Sequence, residues 1–313
     1  MRFAVIGAGG VGGFFGAMLA SAGEDVMFTA RGPHLDAMKR EGLRVISPHG
    51  AMQVSPERCV GSPAEIGPVD TVLFCVKSYD TERTAPDLAP LLRPGTVVIS
   101  LQNGIDNEEK LQRSLPGGTI FGGVAYIYST ITRPGEVTVA GGPAKIVFGP
   151  FAGATAEHRR RATELRDICA HAGITAEVSD DIVAALWKKF IFITGAGGIT
   201  ALTRLTLGEI LAVDPSRELL ADAMRETESV ARARGVRIEE HFLDSVFDTL
   251  GRFDNKTRSS LYNDLVHGKP LEIEALAGTV VRHGDALGIP TPVNRAVYAA
   301  LLPYHLHNSE STR

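Results

Sequence analysis

RFAVIGAGGVGGFFGAMLASAG, residues 2–23, is the stretch whose reading decides the fold. Phe3 to Ile6 form an apolar run that enters a glycine cluster, and the cluster enters a stretch of small and apolar residues. That order reads as strand, tight turn and helix. Gly7, Gly9 and Gly12 stand in G-x-G-x-x-G register. In such a turn the first glycine permits the bend, the second lets a pyrophosphate approach the backbone, and the third lets the helix pack closely on the strand. The helix N-terminus then faces the phosphate charge. The motif alone is weak evidence. Its place between a strand and a helix, with a second strand following in DVMFTAR (25–31), makes it a dinucleotide-binding signature. A site that prefers NAD carries an acidic residue at the end of that second strand. Here the position holds Arg31, whose guanidinium suits a phosphate monoester, so NADP is the expected cofactor.

Outward from this unit, strand, glycine turn and helix alternate to about Pro150. DTVLFCVK (70–77) and GTVVISLQNG (95–104) are apolar runs with polar ends, as the strands of a parallel sheet are. Ligands of such sheets bind beyond the carboxyl ends of the strands, so Arg31, Lys77 and Asn103 are expected around one crevice. The segment from Gly122 to Phe148 is β-prone and glycine-rich and reads as a hairpin that extends the sheet. A helix (155–172) and a short strand (174–178) follow, and Ser179, Asp180 and Asp181 have the capping chemistry and charge of a helix start. We therefore expect an α/β Rossmann-type domain over 1–179, a doubly wound parallel sheet, and an all-α domain over 180–313. In the second domain helical periodicity runs over 181–201, 215–234, 239–252, 257–267, 272–287 and 292–303, with a frayed polar tail from His305 to Arg313.

The 313 residues are 44% hydrophobic and 22% charged with a net charge of -4, an ordinary globular composition with no electrostatic footprint for nucleic acid. The one basic run, His158 to Arg161, reads as a solvated helix face. Cys59, Cys75 and Cys169 are widely spaced, which suggests neither a disulfide framework nor a metal site. No signal-peptide pattern opens the chain, and no apolar run approaches the roughly 20 residues of a membrane span. The expectation is a cytoplasmic protein with neither a membrane nor a nucleic acid as partner.

Within the helical domain, ALWKKFIFI (185–193) embeds Lys189 in an apolar helix, where a lysine ordinarily snorkels to solvent. SSLYND (259–264) and LEIE (271–274) add a hydroxyl and a carboxylate near two helix starts. Taken in order, GAGGVGG, Arg31, Lys77 in CVKSYD, the QNG of Gln102 to Gly104, LWKK with Lys189, SSLYNDLVHGKPLEIE and GIPTPVNR resemble the ketopantoate reductase (2-dehydropantoate 2-reductase) family over nearly the whole chain. The resemblance implies NADPH-dependent reduction of a 2-oxo acid to a 2-hydroxy acid, 2-dehydropantoate to pantoate in pantothenate biosynthesis, and leaves room for a homodimer. It places the general acid on Lys189, its serine and glutamate partners on Ser260 and Glu272, the asparagine near nicotinamide and substrate on Asn103, and a cofactor lysine on Lys77.

The chemistry suits these residue types, because hydride delivery to a 2-oxo acid creates an alkoxide that an ammonium stabilises and then protonates. Glu272 would orient the lysine or accept a hydrogen bond from the substrate, and Asn103 and Ser260 would hold the carboxylate and carbonyl. Ser260 reads equally as a helix cap, and Glu274, on another helix face, reads as solvated. Three positions depart from the family's pattern of asparagines: Ile193, Gly197 and Ala277. Lys189, Ile193 and Gly197 fall on one helix stripe, which makes the wall beside the lysine apolar and partly hollow and leaves the substrate open. A paralogue that reduces a bulkier or more apolar 2-oxo acid, a dehydrogenase of phosphorylated substrates on the same two-domain plan, and a non-catalytic NADP-binding or redox-sensing protein are the alternatives.

Overall fold

The computed structural model describes residues 1–48, 50–251 and 254–310. They form two compact units, one of Met1–Gln102 with Asp106–Ala185, the other of Asn103–Ile105 with the chain from Leu186 onward. In chain order the elements before residue 180 are β1 (Arg2–Ile6), α1 (Gly10–Ser21), β2 (Asp25–Thr29), α2 (Gly32–Glu41), β3 (Leu43–Ser47), β4 (Gly50–Val54), β5 (Cys59–Val60), β6 (Thr71–Phe74), α3 (Thr81–Thr84), β7 (Val97–Ser100), α4 (Asn107–Ser114), β8 (Thr119–Arg133), β9 (Glu136–Pro150), α5 (Ala156–His171) and β10 (Thr175–Val178).

One sheet carries all ten strands in the order β4-β3-β9-β8-β7-β6-β1-β2-β5, with β10 beside β9. Strand β1 has β2 on one side and β6 on the other, both parallel to it. The path across the sheet therefore reverses at β1, and such a switch point opens a crevice beyond the strand ends. Alternate residues of the central strands feed two cores. Phe3, Val5, Leu73, Val97 and Ile99 meet Phe15 and Leu19 of α1 and Leu165 of α5 on one face. Ala4, Ile6, Val72, Phe74 and Val98 meet Leu88, Leu91 and Leu111 on the other. Burial on both faces is why these strands read as unbroken apolar runs.

The sheet is mixed: to its parallel centre it adds the hairpin expected between Gly122 and Phe148. Strands β8 and β9 form an antiparallel hairpin closed by Pro134 and Gly135, the latter at φ +77°. Two residues cannot supply the crossover that a parallel pair needs. A second antiparallel pair, β3 with β4, occupies a segment to which the sequence reading assigns no strand. Leu43, Val45 and Val54 are buried there while Arg44 and Gln53 are exposed, the alternation of a half-covered strand. The basic run of α5 also needs correction. Arg160 is an exposed partner of Glu157, but Arg161 is mostly covered and donates to the Asp70 carbonyl at 3.2 Å.

The remaining helices are α6 (Ile182–Thr203), α7 (Leu207–Leu211), α8 (Asp214–Ala233), α9 (Phe242–Leu250), α10 (Ser260–Val266), α11 (Ala277–Leu287) and α12 (Pro292–Glu310). Asp181 caps α6 by accepting the Ala184 amide at 3.1 Å, as its position at the expected helix start requires. Contrary to the reading that no stretch is long and apolar enough to span a bilayer, α6 meets that test by length and composition, and two-thirds of its apolar window is buried inside the protein, the placement of a core helix. Residues 272–276 are turns rather than the start of α11, because Leu276, at φ -104° and ψ -104°, breaks the helical path. The tail does not fray at His305. Its Nδ1 accepts the Leu271 amide at 3.1 Å, Asn308 Nδ2 donates to the Lys269 carbonyl at 3.0 Å, and the helix continues to Glu310.

The start of α12 rests on α8 through a buried polar contact. Glu226 accepts the Val293 and Asn294 amides at 2.8 and 2.9 Å, and Asn294 Nδ2 reaches both Glu226 and the Ala223 carbonyl. A carboxylate at the positive end of a helix answers its unpaired N–H groups. Asn294 is 1% exposed, so Asn294→Ala leaves buried acceptors unmatched and should cost about 1–3 kcal/mol. Urea unfolding should show a lower midpoint with an unchanged slope; an unchanged midpoint would mean that the contact contributes nothing net.

Candidate functional site

In the first unit the glycine turn meets the three demands of its motif with three different glycines. Gly7 leaves β1 at φ +97°, and a Cβ there would lie 3.0 Å from the backbone at Cys75 and Val76. A Cβ on Gly12 would collide with the Gly7 carbonyl oxygen, so helix and strand touch backbone to backbone. On Gly9 a Cβ would find no atom within 4 Å; that side of the turn is open. Gly9 is the N-cap of α1, and no side chain caps the helix and no acidic residue occupies its first turn. Beside Gly10 lies Ser129, whose Oγ is buried with no hydrogen-bond partner among the described residues. An open backbone side, uncapped helical amides and an orphaned hydroxyl fit a pyrophosphate.

His34, which the sequence reading passed over, fastens this turn. The Gly135 amide donates to its Nδ1 at 3.0 Å, which leaves the proton on Nε2 to donate to the Ala8 carbonyl at 2.9 Å. Burial holds its pKa below the ordinary imidazole value, in keeping with the neutral ring that this bonding requires. Nothing in sequence spacing marks His34, because its partners come from two distant turns.

Arg31 stands two residues beyond β2 as the N-cap of α2, and its exposed guanidinium pairs with Asp80. Asp80 also takes Arg83 at 2.6 Å. In the sequence Asp80 only closes the CVKSYD segment, and Arg83 has no assigned role. Lys77 is half-buried, three residues beyond β6, at the head of a 3-10 turn (Ser78–Asp80).

The second unit is built around α6. Leu186, Trp187 and Phe190 are buried on the helix that carries Lys189. Lys189 Nζ donates to Asn103 Oδ1 at 3.0 Å. An ammonium can only donate, so Asn103 presents its oxygen to the lysine and turns its amide nitrogen elsewhere. Burial pulls the Lys189 pKa down to about 8, against the opposing charge of Glu272, which favours the ammonium. Glu272 is itself 5% exposed. The neighbouring Lys188 makes a separate contact with Glu239.

Other sequence candidates fare differently. Ser260 is the exposed first residue of α10 and is not its cap. The cap is Ser259, which accepts the Tyr262 amide at 3.0 Å and the Thr200 hydroxyl at 2.7 Å. Glu274 is not simply solvated, since it accepts from Tyr298 Oη and Arg282 at 2.7 Å each. Ile193 is half-buried and Gly197 is buried, yet a Cβ on Gly197 would meet nothing nearer than Leu261 at 3.9 Å. Thr194 Oγ1 is buried without a hydrogen-bond partner among the described residues, and Ala277 is the buried first residue of α11. No group of three His, Cys, Asp or Glu among the described residues is placed to hold a metal ion.

Two family models match the chain: Ketopantoate reductase PanE/ApbA over residues 3–153 and Ketopantoate reductase PanE/ApbA C terminal over residues 181–305. The chain is 31% identical over 320 residues to a 2-dehydropantoate 2-reductase of Mesorhizobium japonicum, covering 96% of each. It is 31% identical over 306 residues to an uncharacterized oxidoreductase, YkpB, of Bacillus subtilis, covering 97% of this chain and 99% of that one. Among solved structures, a PanE/ApbA family ketopantoate reductase from Ralstonia eutropha JMP134 superposes with a TM-score of 0.88 at 34% identity, covering 99% of this chain and 100% of that one. With its Rossmann-like sheet followed by a helical domain, and with both family models spanning it, the chain belongs to the ketopantoate reductase PanE/ApbA family of oxidoreductases.

Proposed function

We propose that this protein is an NADPH-dependent reductase of 2-oxo acids, with 2-dehydropantoate as the reference substrate. The observation that carries the reading is Lys189, an ammonium drawn out of water, hydrogen-bonded to Asn103 and biased toward its charged form by Glu272. The glycine turn from Gly7 to Gly12 would hold the pyrophosphate, and Arg31 the 2′-phosphate, with Lys77 nearby. When bound, NADPH supplies a hydride to the carbonyl carbon of the substrate. Lys189 donates a hydrogen bond to the carbonyl oxygen, stabilises the alkoxide as negative charge builds there, and passes it a proton. Asn103 holds the ammonium in line through its side-chain oxygen. Glu272 offsets part of the cost of burying the positive charge. With a pKa near 8, the lysine is protonated at neutral pH and regains its proton readily after each turnover. We place the enzyme in the cytoplasm, a reading supported by its three unpaired thiols.

A second reading of the substrate is favoured by Ile193 and Gly197. The helix stripe beside Lys189 offers no amide to a distal hydroxyl and has room at Gly197. Such a wall suits a 2-oxo acid with a plain branched or aromatic side chain at least as well as 2-dehydropantoate. The buried hydroxyl of Thr194 is the polar group at hand for the first reading.

Lys189→Ala should lower kcat by a factor on the order of 10² to 10⁴ while leaving NADPH affinity nearly intact, and a loss below about threefold would remove it as the acid. Lys188→Ala should change kcat only a few fold. Because the working form is protonated, kcat/KM for reduction should fall as pH rises through about 8, and the reverse oxidation should gain over the same range; a flat reduction profile to pH 10 is the opposing result. Steady-state NADPH oxidation against a panel of 2-oxo acids decides between the substrate readings. On the apolar reading, Ile193→Asn with Gly197→Asn shifts kcat/KM toward 2-dehydropantoate. A parent preference above about 100-fold for 2-dehydropantoate over its deoxy analogue demands buried polar partners and would sink that reading.

A further inference from the structure

We infer that Arg83 is a second phosphate-binding residue beside Arg31, and that Asp80 is the positioning residue that holds both guanidiniums for the 2′-phosphate of NADP. The inference rests on the cofactor preference proposed above and adds two residues to it. Arg31 follows β2, whereas Asp80 and Arg83 follow β6, so the cluster joins the ends of the two strands that flank β1 at the switch point. The Asp80 side chain is only 8% exposed, while those of Arg31 and Arg83 are each 65% exposed. Its two oxygens are divided between them: Oδ2 takes Arg31 and Oδ1 takes Arg83.

An ordinary i,i+3 surface pair would account for Arg83 and Asp80 alone. It does not account for a buried carboxylate shared with a second arginine from another strand end. A carboxylate facing the crevice would favour ribose hydroxyls and repel a phosphate. This one lies behind the arginines, and the surface they present is cationic, with two positive charges against one negative. Each guanidinium has five N–H donors, and the Asp80 bond directs the others outward in a fixed orientation. Holding the two long side chains in advance removes most of the ordering that phosphate binding would otherwise impose on them. The base of the cluster is itself fixed. The Asp80 amide donates to the Lys77 carbonyl at 2.8 Å, and the buried Thr81 hydroxyl donates to Asn107 at 3.0 Å and accepts from Gln102 at 2.7 Å.

The test is calorimetric titration of the full chain with 2′,5′-ADP and with 5′-AMP, which differ only in the 2′-phosphate, alongside NADPH and NADH. The parent should favour the 2′-phosphorylated ligand in each pair. Arg83→Ala should cut that discrimination roughly tenfold or more, as expected for a lost charge-assisted contact, with 5′-AMP affinity held within about threefold. Arg83→Lys should recover part of it. Asp80→Ala should weaken 2′,5′-ADP binding although it removes a negative charge, whereas a merely repelling Asp80 predicts the opposite sign. Undiminished discrimination in Arg83→Ala, or tighter 2′,5′-ADP binding in Asp80→Ala, overturns the inference. A parent that does not distinguish the two ligands overturns the NADP reading on which it rests.

Discussion

A backbone-to-backbone approach governs the first unit: α1 lies on β1 because nothing projects from Gly12 toward the Gly7 carbonyl. That contact brings Phe15 and Leu19 down onto Phe3 and Val5 and completes one of the two cores that bury the central strands. It also aims the uncapped amides of α1 at the open side of Gly9. One steric condition thus serves both packing and ligand approach, so a side chain at Gly12 would disturb the fold and the phosphate site together. His34 fastens the same turn from outside, and its two bonds are satisfied only by a neutral ring.

The second unit runs on the opposite economy, for its central feature is a cost. Water stabilises an ammonium better than a helix core does, and the Lys189 pKa falls from 10.5 to about 8. Between those values the unfolded chain holds a proton that the folded chain has released, so this group makes folding more favourable as pH rises through that window. Below about pH 8 the full burial cost is present. Asn103 and Glu272 reduce the cost without removing it. A lysine left in water would sit near its ordinary pKa and return a proton less readily, so the burial that costs stability is what adjusts the acid. A conserving device for the rest of the unit is the Glu226–Asn294 contact, which seats α12 on α8.

Charge is handled in the same spirit at the end of β2. Arg31 alone would be a mobile cation on the surface, but Asp80 fixes it and adds Arg83. The carboxylate lowers the total positive charge while it sharpens direction, an exchange that favours a ligand with several acceptor oxygens over a diffuse anion.

The sequence by itself determined what depends on local pattern. The strand–glycine–helix order at residues 2–23, the apolar runs of β6 and β7, the hairpin of β8 and β9 and the helical periodicity beyond Asp181 all follow from period and turn chemistry, which neighbouring residues carry. Strand-end position drew Asn103 to the crevice, the apolar helix around Lys189 and the helix start near Glu272 drew notice to those two, and family resemblance supplied the role of each. Tertiary structure alone decided which groups meet. Ser259 rather than Ser260 caps α10, and the same hydroxyl accepts from Thr200, 59 positions away. Glu274 is held by Tyr298 and Arg282 instead of water. His34 reaches Gly135 across 101 positions, and Asp80 reaches Arg31 across 49. Hydrogen bonds and ion pairs act over a few ångströms in space whatever the separation along the chain, so a linear pattern can nominate their members but only the packed fold can pair them.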